Sequence, residues 1–213
     1  MAGSIKKIGI LGAGKLGIVL AQLARKAGYE VLISGSGSPK KIALSVKVLA
    51  PGSVAMTSRE VARQAELVIL ALPLSKYKNI PRDELKGKLV VDAMNYWWEV
   101  DGKRDDFMDP ELSSSESIQR FLDESRVVKA MSHMGYHDLH DEARKMEESG
   151  RKAIAIAGND KEDVAAVADL INNIGFDPLP IGDLSQGVKL EPGNPAFGAN
   201  ASKAELKNLL GLS

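Results

Sequence analysis

The sequence predicts an α/β fold, a doubly wound parallel sheet, from three observations: an apolar run ending in a glycine-rich turn, an amphipathic helix opening at that turn, and strand and helix patterns alternating along the chain. Ile8-Gly9-Ile10-Leu11 is the apolar run and reads as a first strand buried on both faces. From Leu16, the residues Leu16, Val19, Leu20, Leu23, Ala24 and Ala27 recur at helical spacing, and Gly28 supplies a left-handed stop. Tyr29 to Ile33 predicts a second strand, Lys40 to Leu49 a short helix, and Pro51-Gly52 a break before the β-rich stretch Ser53 to Thr57. Ser58 can cap a helix ending near Ala65. Leu67 to Leu72, closed by Pro73, and Lys88 to Ala93 are apolar enough for central strands. There follow a helix around Ile118 to Glu124, a strand from Arg126 to Met131, a helix near Leu139 to Ser149, a strand at Lys152 to Ala157 and a helix from Lys161 to Asn173. Right-handed crossovers would put these helices on both faces of the sheet. Asn95 to Ser117 and the tail from Leu184, with a helix near Lys203 to Leu210, read as long loops over the carboxyl edge, where such sheets take their ligands.

With 213 residues, the chain suits one domain, residues 1–182, carrying a C-terminal extension, residues 183–213, packed on it. Twenty-eight basic and 28 acidic residues cancel, which removes the positive field that drives binding to nucleic acid or acidic membranes. No cysteine is present, so disulfides, thiolate metal sites and cysteine nucleophiles are excluded. The apolar run Leu67 to Leu74 is far below the ~20 residues that span a bilayer, and charges interrupt the N-terminus before any secretory core could develop. The expectation is a cytoplasmic protein that meets a small molecule, with neither nucleic acid nor membrane as partner.

Gly12-Ala13-Gly14-Lys15-Leu16-Gly17 is G-x-G-x-x-G, and it follows a predicted strand and opens a predicted helix. In that context Gly12 permits the tight turn, Gly14 lets the backbone approach a diphosphate, and Gly17 allows close helix packing. The unpaired amides and positive end of the helix would hold the phosphates, with Ala13, Lys15 and Leu16 completing the turn and Lys15 adding a cation. The fold is therefore read as an NAD(P)-binding Rossmann fold. Between Glu30 and Glu60 there is no acidic residue, whereas Ser34, Ser36, Ser38, Lys40, Lys41, Lys47 and Arg59 occur. A carboxylate after the second strand would repel a 2′-phosphate, while hydroxyls and lysines can donate to it, so NADP is favoured over NAD.

These stretches, together with Ala71-Leu72-Pro73, Val91-Asp92-Ala93-Met94-Asn95, Val127-Val128-Lys129-Ala130-Met131 and Leu190-Glu191-Pro192, make the chain resemble the coenzyme F-420-dependent NADP oxidoreductase family, compact Rossmann proteins that pass hydride between NADP and a deazaflavin. The family often carries a Ser-Arg pair for the 2′-phosphate; here Gly37 follows Ser36, and Lys40 or Lys41 would substitute. The resemblance implies that Leu72, Pro73 and Leu74 line the nicotinamide ribose, that Asn95 sits near the nicotinamide, and that the protein is a homodimer. Family members show Asn or His followed by Thr after the Lys-Ala pair, and this chain has Ser132-His133 two residues on.

His133, His137 and His140 lie within eight residues, but Gly135 breaks the helical spacing a three-histidine metal site would use, and no metal is expected. His133, beside the nicotinamide, is the candidate catalytic group, since imidazole titrates near neutral pH and can deliver a proton. Trp97 or Trp98 could stack on a planar acceptor or pack beneath the loop. The function expected is hydride transfer between NADP(H) and a planar acceptor such as the deazaflavin coenzyme F-420 or a flavin. The alternative is a non-catalytic NADPH-binding redox sensor acting through a protein partner.

Overall fold

The computed structural model describes residues 5–212. Eight strands form one sheet: β1 (Lys7–Leu11), β2 (Glu30–Ser34), β3 (Val54–Ala55), β4 (Leu67–Leu70), β5 (Leu89–Asp92), β6 (Arg126–Ala130), β7 (Ala153–Gly158) and β8 (Asp177–Gly182), in the order β3-β2-β1-β4-β5-β6-β7-β8. The helices are α1 (Lys15–Lys26), α2 (Ala43–Leu49), α3 (Ser58–Gln64), α4 (Trp98–Asp101), α5 (Ser114–Phe121), α6 (Tyr136–Asp141), α7 (Lys161–Asn173) and α8 (Lys203–Leu209). The first six strands are parallel, and the reversal of strand order between β1 and β4 opens a crevice at their carboxyl ends, as in doubly wound nucleotide-binding sheets. Leu11 pairs with both Ser34 and Leu70, so those strand ends are level at this edge.

Strand alternation divides the core into two faces. Ile8 and Ile10 of β1 and Leu67 and Ile69 of β4 point to the face covered by α1 and α7, while Leu11, Val68 and Leu70 point to the face covered by α3 and α5. A Cβ on Gly9 would lie 2.6 Å from Val61 Cγ1, which is why α3 can pack so close to β1.

The wholly parallel sheet expected from the alternation is corrected at β7, which runs antiparallel to β6; β8 then runs parallel to β7. An apolar run reads alike in either direction, so periodicity carries no direction. β8 was not anticipated because Pro178 and Pro180 interrupt its pattern, and it tolerates them because it pairs only with β7 at the sheet edge. α5 begins at Ser114, inside the stretch expected to be loop, where Ser113 and Glu116 form a reciprocal capping box. Thr57, not Ser58, caps α3 in the same way with Glu60. α6 covers only Tyr136–Asp141, against the longer helix expected to Ser149. The tail from Leu184 is a 3-10 turn, an irregular stretch and α8, and its Leu190, Ala196, Leu206 and Leu210 bury Ala153, Ala155, Leu179 and Ile181 of β7 and β8.

Candidate functional site

The glycine-rich turn has the geometry its spacing calls for. Gly12 has φ +123°, its amide donates to the Ser34 carbonyl at 2.8 Å, and a Cβ there would come within 2.1 Å of the Ala71 carbonyl oxygen. A Cβ on Gly17 would sit 1.9 Å from the Gly12 carbonyl oxygen. At Gly14, by contrast, a Cβ would meet nothing within 4 Å. Gly14 is the N-cap of α1, no side chain caps it and no acid lies in its first turn, so this positive helix end is open to an anion. Ala13 packs against the core, and Lys15 is exposed with Nζ 5.3 Å from the centre of the Tyr136 ring, held over α6.

From this turn a cleft of about 540 Å³ runs between the end of β2 and the segment after β4; Gly12, Gly14, Ser34, Ser36, Leu72 and Pro73 line it. Among the expected residues that do not line it are Leu74 and Lys40. Leu74 is fully buried in the core beneath, because the 3-10 turn Leu74–Asn79 has a period of three that sends Leu74 and Tyr77 inward. The same period brings Lys76 and Asn79 to the cleft, which a polar turn after Pro73 gave no reason to single out. Lys40 is exposed, its amide taken by the Ser38 hydroxyl, and it does not line the cleft. Lys41 does not line the cleft either, but its Nζ lies 4.0 Å from where a Cβ on the lining residue Gly37 would be.

A second cavity of about 240 Å³ lies at the carboxyl ends of β5 and β6, with Leu16, Asn95, Trp97, Met131, Tyr136 and Phe197 in its walls. Leu16 belongs to the first turn of α1, so the cavity adjoins the glycine-rich turn. The chain leaves β6 through Met131 at φ +59°, a left-handed conformation that a residue other than glycine or asparagine rarely adopts. This turn brings the Ser132 carbonyl to Asn95, whose Nδ2 donates to it, while Asn95 Oδ1 and Ser132 Oγ are buried without a protein partner.

His133 borders this cavity, yet the structure corrects the role expected of it. The ring is 1% exposed, and Nε2 accepts the Ala155 amide hydrogen at 3.0 Å. Burial pushes its pKa down to about 4, with the nearby Ala196 carbonyl opposing. The imidazole is therefore neutral near pH 7, with its Nε2 lone pair engaged by β7 and its single N–H left on Nδ1, so it is not the imidazolium acid expected. Its own carbonyl accepts the Gly198 amide hydrogen at 2.6 Å, so His133 fastens the tail to the sheet. His137 is exposed, its ring 4.0 Å from that of Tyr136, and His140 Nδ1 lies 2.7 Å from Asp141. Among the described residues no three His, Asp or Glu side chains gather around a point that could hold a metal ion.

With this geometry the chain compares as follows. Residues 7–96 match the model of a family described as coenzyme F-420-dependent NADP oxidoreductase. The chain is 27% identical over 188 residues to the metalloreductase STEAP3 of Rattus norvegicus, covering 87% of this chain but 36% of that protein, so it spans about a third of the length of that curated relative. A hypothetical protein from Sinorhizobium meliloti superposes with a TM-score of 0.80 at 25% identity, over 94% of this chain and 97% of the other. A candidate F-420-dependent NADP reductase from Arthrobacter sp. FB24 superposes with a TM-score of 0.72, also at 25% identity, over 86% and 87%. No helix among the described residues is long and apolar enough to cross a membrane. The family match covers the glycine-rich turn, the acid-free loop after β2 and Asn95 at the exit of β5, so over residues 7–96 the chain is similar to the coenzyme F-420-dependent NADP oxidoreductases.

Proposed function

We propose that this protein is an NADP-dependent oxidoreductase that exchanges hydride between NADP(H) and a planar acceptor such as the deazaflavin coenzyme F-420 or a flavin. The observation that carries the reading is the uncapped N-terminus of α1 at Gly14, facing an open cleft with no carboxylate in the loop after β2. Gly12, Ala13, Gly14, Lys15 and Leu16 would hold the diphosphate, the amides of the turn serving as donors. Ser36 and Lys41 would donate to the 2′-phosphate, Ser34 would bound the adenosine end, and Leu72 and Pro73, which line the same cleft, would meet the nicotinamide ribose as the resemblance implies. Asn95 would meet the carboxamide end, since its Oδ1 is buried with no other partner.

When bound, NADPH supplies a hydride that, with one proton from solvent, reduces the acceptor by two electrons and leaves NADP+. The chain's own part is to orient the rings and exclude water, which suits a cavity walled by Leu16, Met131, Tyr136 and Phe197. The reading includes a cytoplasmic homodimer whose extension, residues 183–213, closes the domain formed by residues 1–182.

Calorimetric titration with NADPH and NADH, followed by NADPH oxidation assays against F-420, flavins and ferric chelates, tests it. Tighter binding of NADH would remove the NADP assignment. NADPH binding without turnover on any acceptor would favour the redox sensor.

A further inference from the structure

We infer that Trp97 and Phe197 form the seat for the acceptor at the mouth of the smaller cavity, and that this seat selects a flat fused aromatic ring by stacking, without reading the charged tail attached to it. The inference rests on the function proposed above and adds to it the residues that recognise the acceptor and the part of the acceptor they recognise.

Trp97 lines the cavity and is nonetheless 52% exposed; its ring centre lies 5.7 Å from that of Phe197, at an interplanar angle of 60°. An indole held half in water at a cavity mouth presents apolar area that a flat ligand would cover. The backbone beneath it is pinned: the amides of Trp97 and Ser75 both donate to the Asp101 carboxylate, at 2.9 and 2.8 Å, fastening α4 to the turn after β4. Phe197 comes from the opposite side on the tail that His133 fastens through the Gly198 amide. The two rings therefore meet on supports that are themselves hydrogen-bonded in place.

Charge defines what the seat can accept. No Lys, Arg, Asp or Glu lines the cavity, and Lys15, which lies over Tyr136, belongs to the glycine-rich turn. A keto or imino acid would bring a carboxylate to walls that offer it no cation, at a cost in desolvation. A ring without a carboxylate needs none, and Ser132 Oγ remains as a partner for a polar ring edge. From Trp97 to Asp106 the chain carries Glu99, Asp101, Asp105 and Asp106 against Lys103 and Arg104. Arg104 is itself engaged, donating to the Leu112 carbonyl at 2.9 Å and lying 3.7 Å from Glu191. An anionic tail leaving the mouth would gain no attraction there.

The test uses the full chain with Trp98→Phe, which leaves Trp97 as its single tryptophan. Riboflavin, FMN and 5-deazariboflavin are titrated in the presence of NADP+ while Trp97 emission is recorded, and NADPH binding is measured separately by calorimetry. All three rings are expected to quench Trp97, with riboflavin and FMN binding within about threefold of each other because exposed charges are screened. Read through the flavin's own emission, Trp97→Ala should weaken flavin binding roughly tenfold, the upper end of one aromatic contact, with NADPH affinity unchanged, and Trp97→Phe should restore most of it. Absence of quenching by every ring, flavin affinity unaltered by Trp97→Ala, or a preference for FMN above about tenfold would overturn this inference while NADPH binding stands. Absence of any heat with NADPH would overturn the function proposed above and this inference with it.

Discussion

Lys129 Nζ lies 3.3 Å from Asp92 Oδ2, and neither side chain has any exposed surface. Both grip the residue that precedes Asn95: Lys129 Nζ donates to the Met94 carbonyl at 2.6 Å, and Asp92 Oδ1 accepts the Met94 amide hydrogen at 3.0 Å. The Ser115 hydroxyl adds a third bond, to Asp92 Oδ2 at 2.6 Å. The pair therefore ties the ends of β5 and β6 together beneath the smaller cavity. Removing one partner leaves the other charged and buried, so Asp92→Ala or Lys129→Met should each cost about 3–5 kcal/mol in urea unfolding. The double variant Asp92→Ala/Lys129→Met should recover part of that loss; simple additivity of the two single costs would refute the coupling.

The three glycines of the turn should separate folding from binding. Gly12→Ala and Gly17→Ala drive a Cβ into backbone carbonyl oxygens, at 2.1 and 1.9 Å, and are expected to yield little folded protein. Gly14→Ala points into open space, so the thermal midpoint should hold while NADPH affinity drops about tenfold, because the methyl occupies the approach of the diphosphate. Calorimetry on Gly14→Ala decides the matter: undiminished affinity would mean that the phosphates lie elsewhere.

Lys41 and Lys40 are adjacent in sequence and differ in position. Lys41→Ala should lower NADPH affinity about tenfold with little change for NADH, the loss of one charge-assisted hydrogen bond. Lys40→Ala should alter neither by more than about twofold, as for an exposed charge. Parallel titrations of both variants with both nucleotides check this, and equal effects at the two positions would reject Lys41 as the particular contact.

His133 should appear in the pH dependence of stability and be silent in that of turnover. Its folded pKa of about 4 lies below the ordinary 6.5, so between these values the unfolded chain binds the proton more readily. Stability is then unpenalised above pH 6.5 and falls as the pH drops towards 4, by about 3 kcal/mol in all at 1.36 kcal/mol per unit. His133→Gln should flatten that slope in urea titrations taken across this range. The hydride-transfer rate should show no inflection between pH 6 and 8 that His133→Gln abolishes; finding one would return the imidazole to the chemistry.

The geometry of the glycine-rich turn was legible in the sequence because each of its requirements is local. Ile8 to Leu11 are apolar in a row, Gly12 must take a positive φ, and Leu16 to Ala27 repeat at helical spacing, all within twenty residues of chain. The absence of acid between Glu30 and Glu60 is likewise a property of one stretch, and it bears on nucleotide choice wherever that stretch ends up. The direction of β7, the presence of β8, the burial of Leu74 and His133, and the meeting of Trp97 with Phe197 were decided only by tertiary structure. Apolar spacing says that a side chain will be buried, while the neighbour it is buried against depends on how distant segments pack. Leu74 and His133 stand in motifs that face a ligand by resemblance, and packing turned the first into the core and gave the lone pair of the second to Ala155.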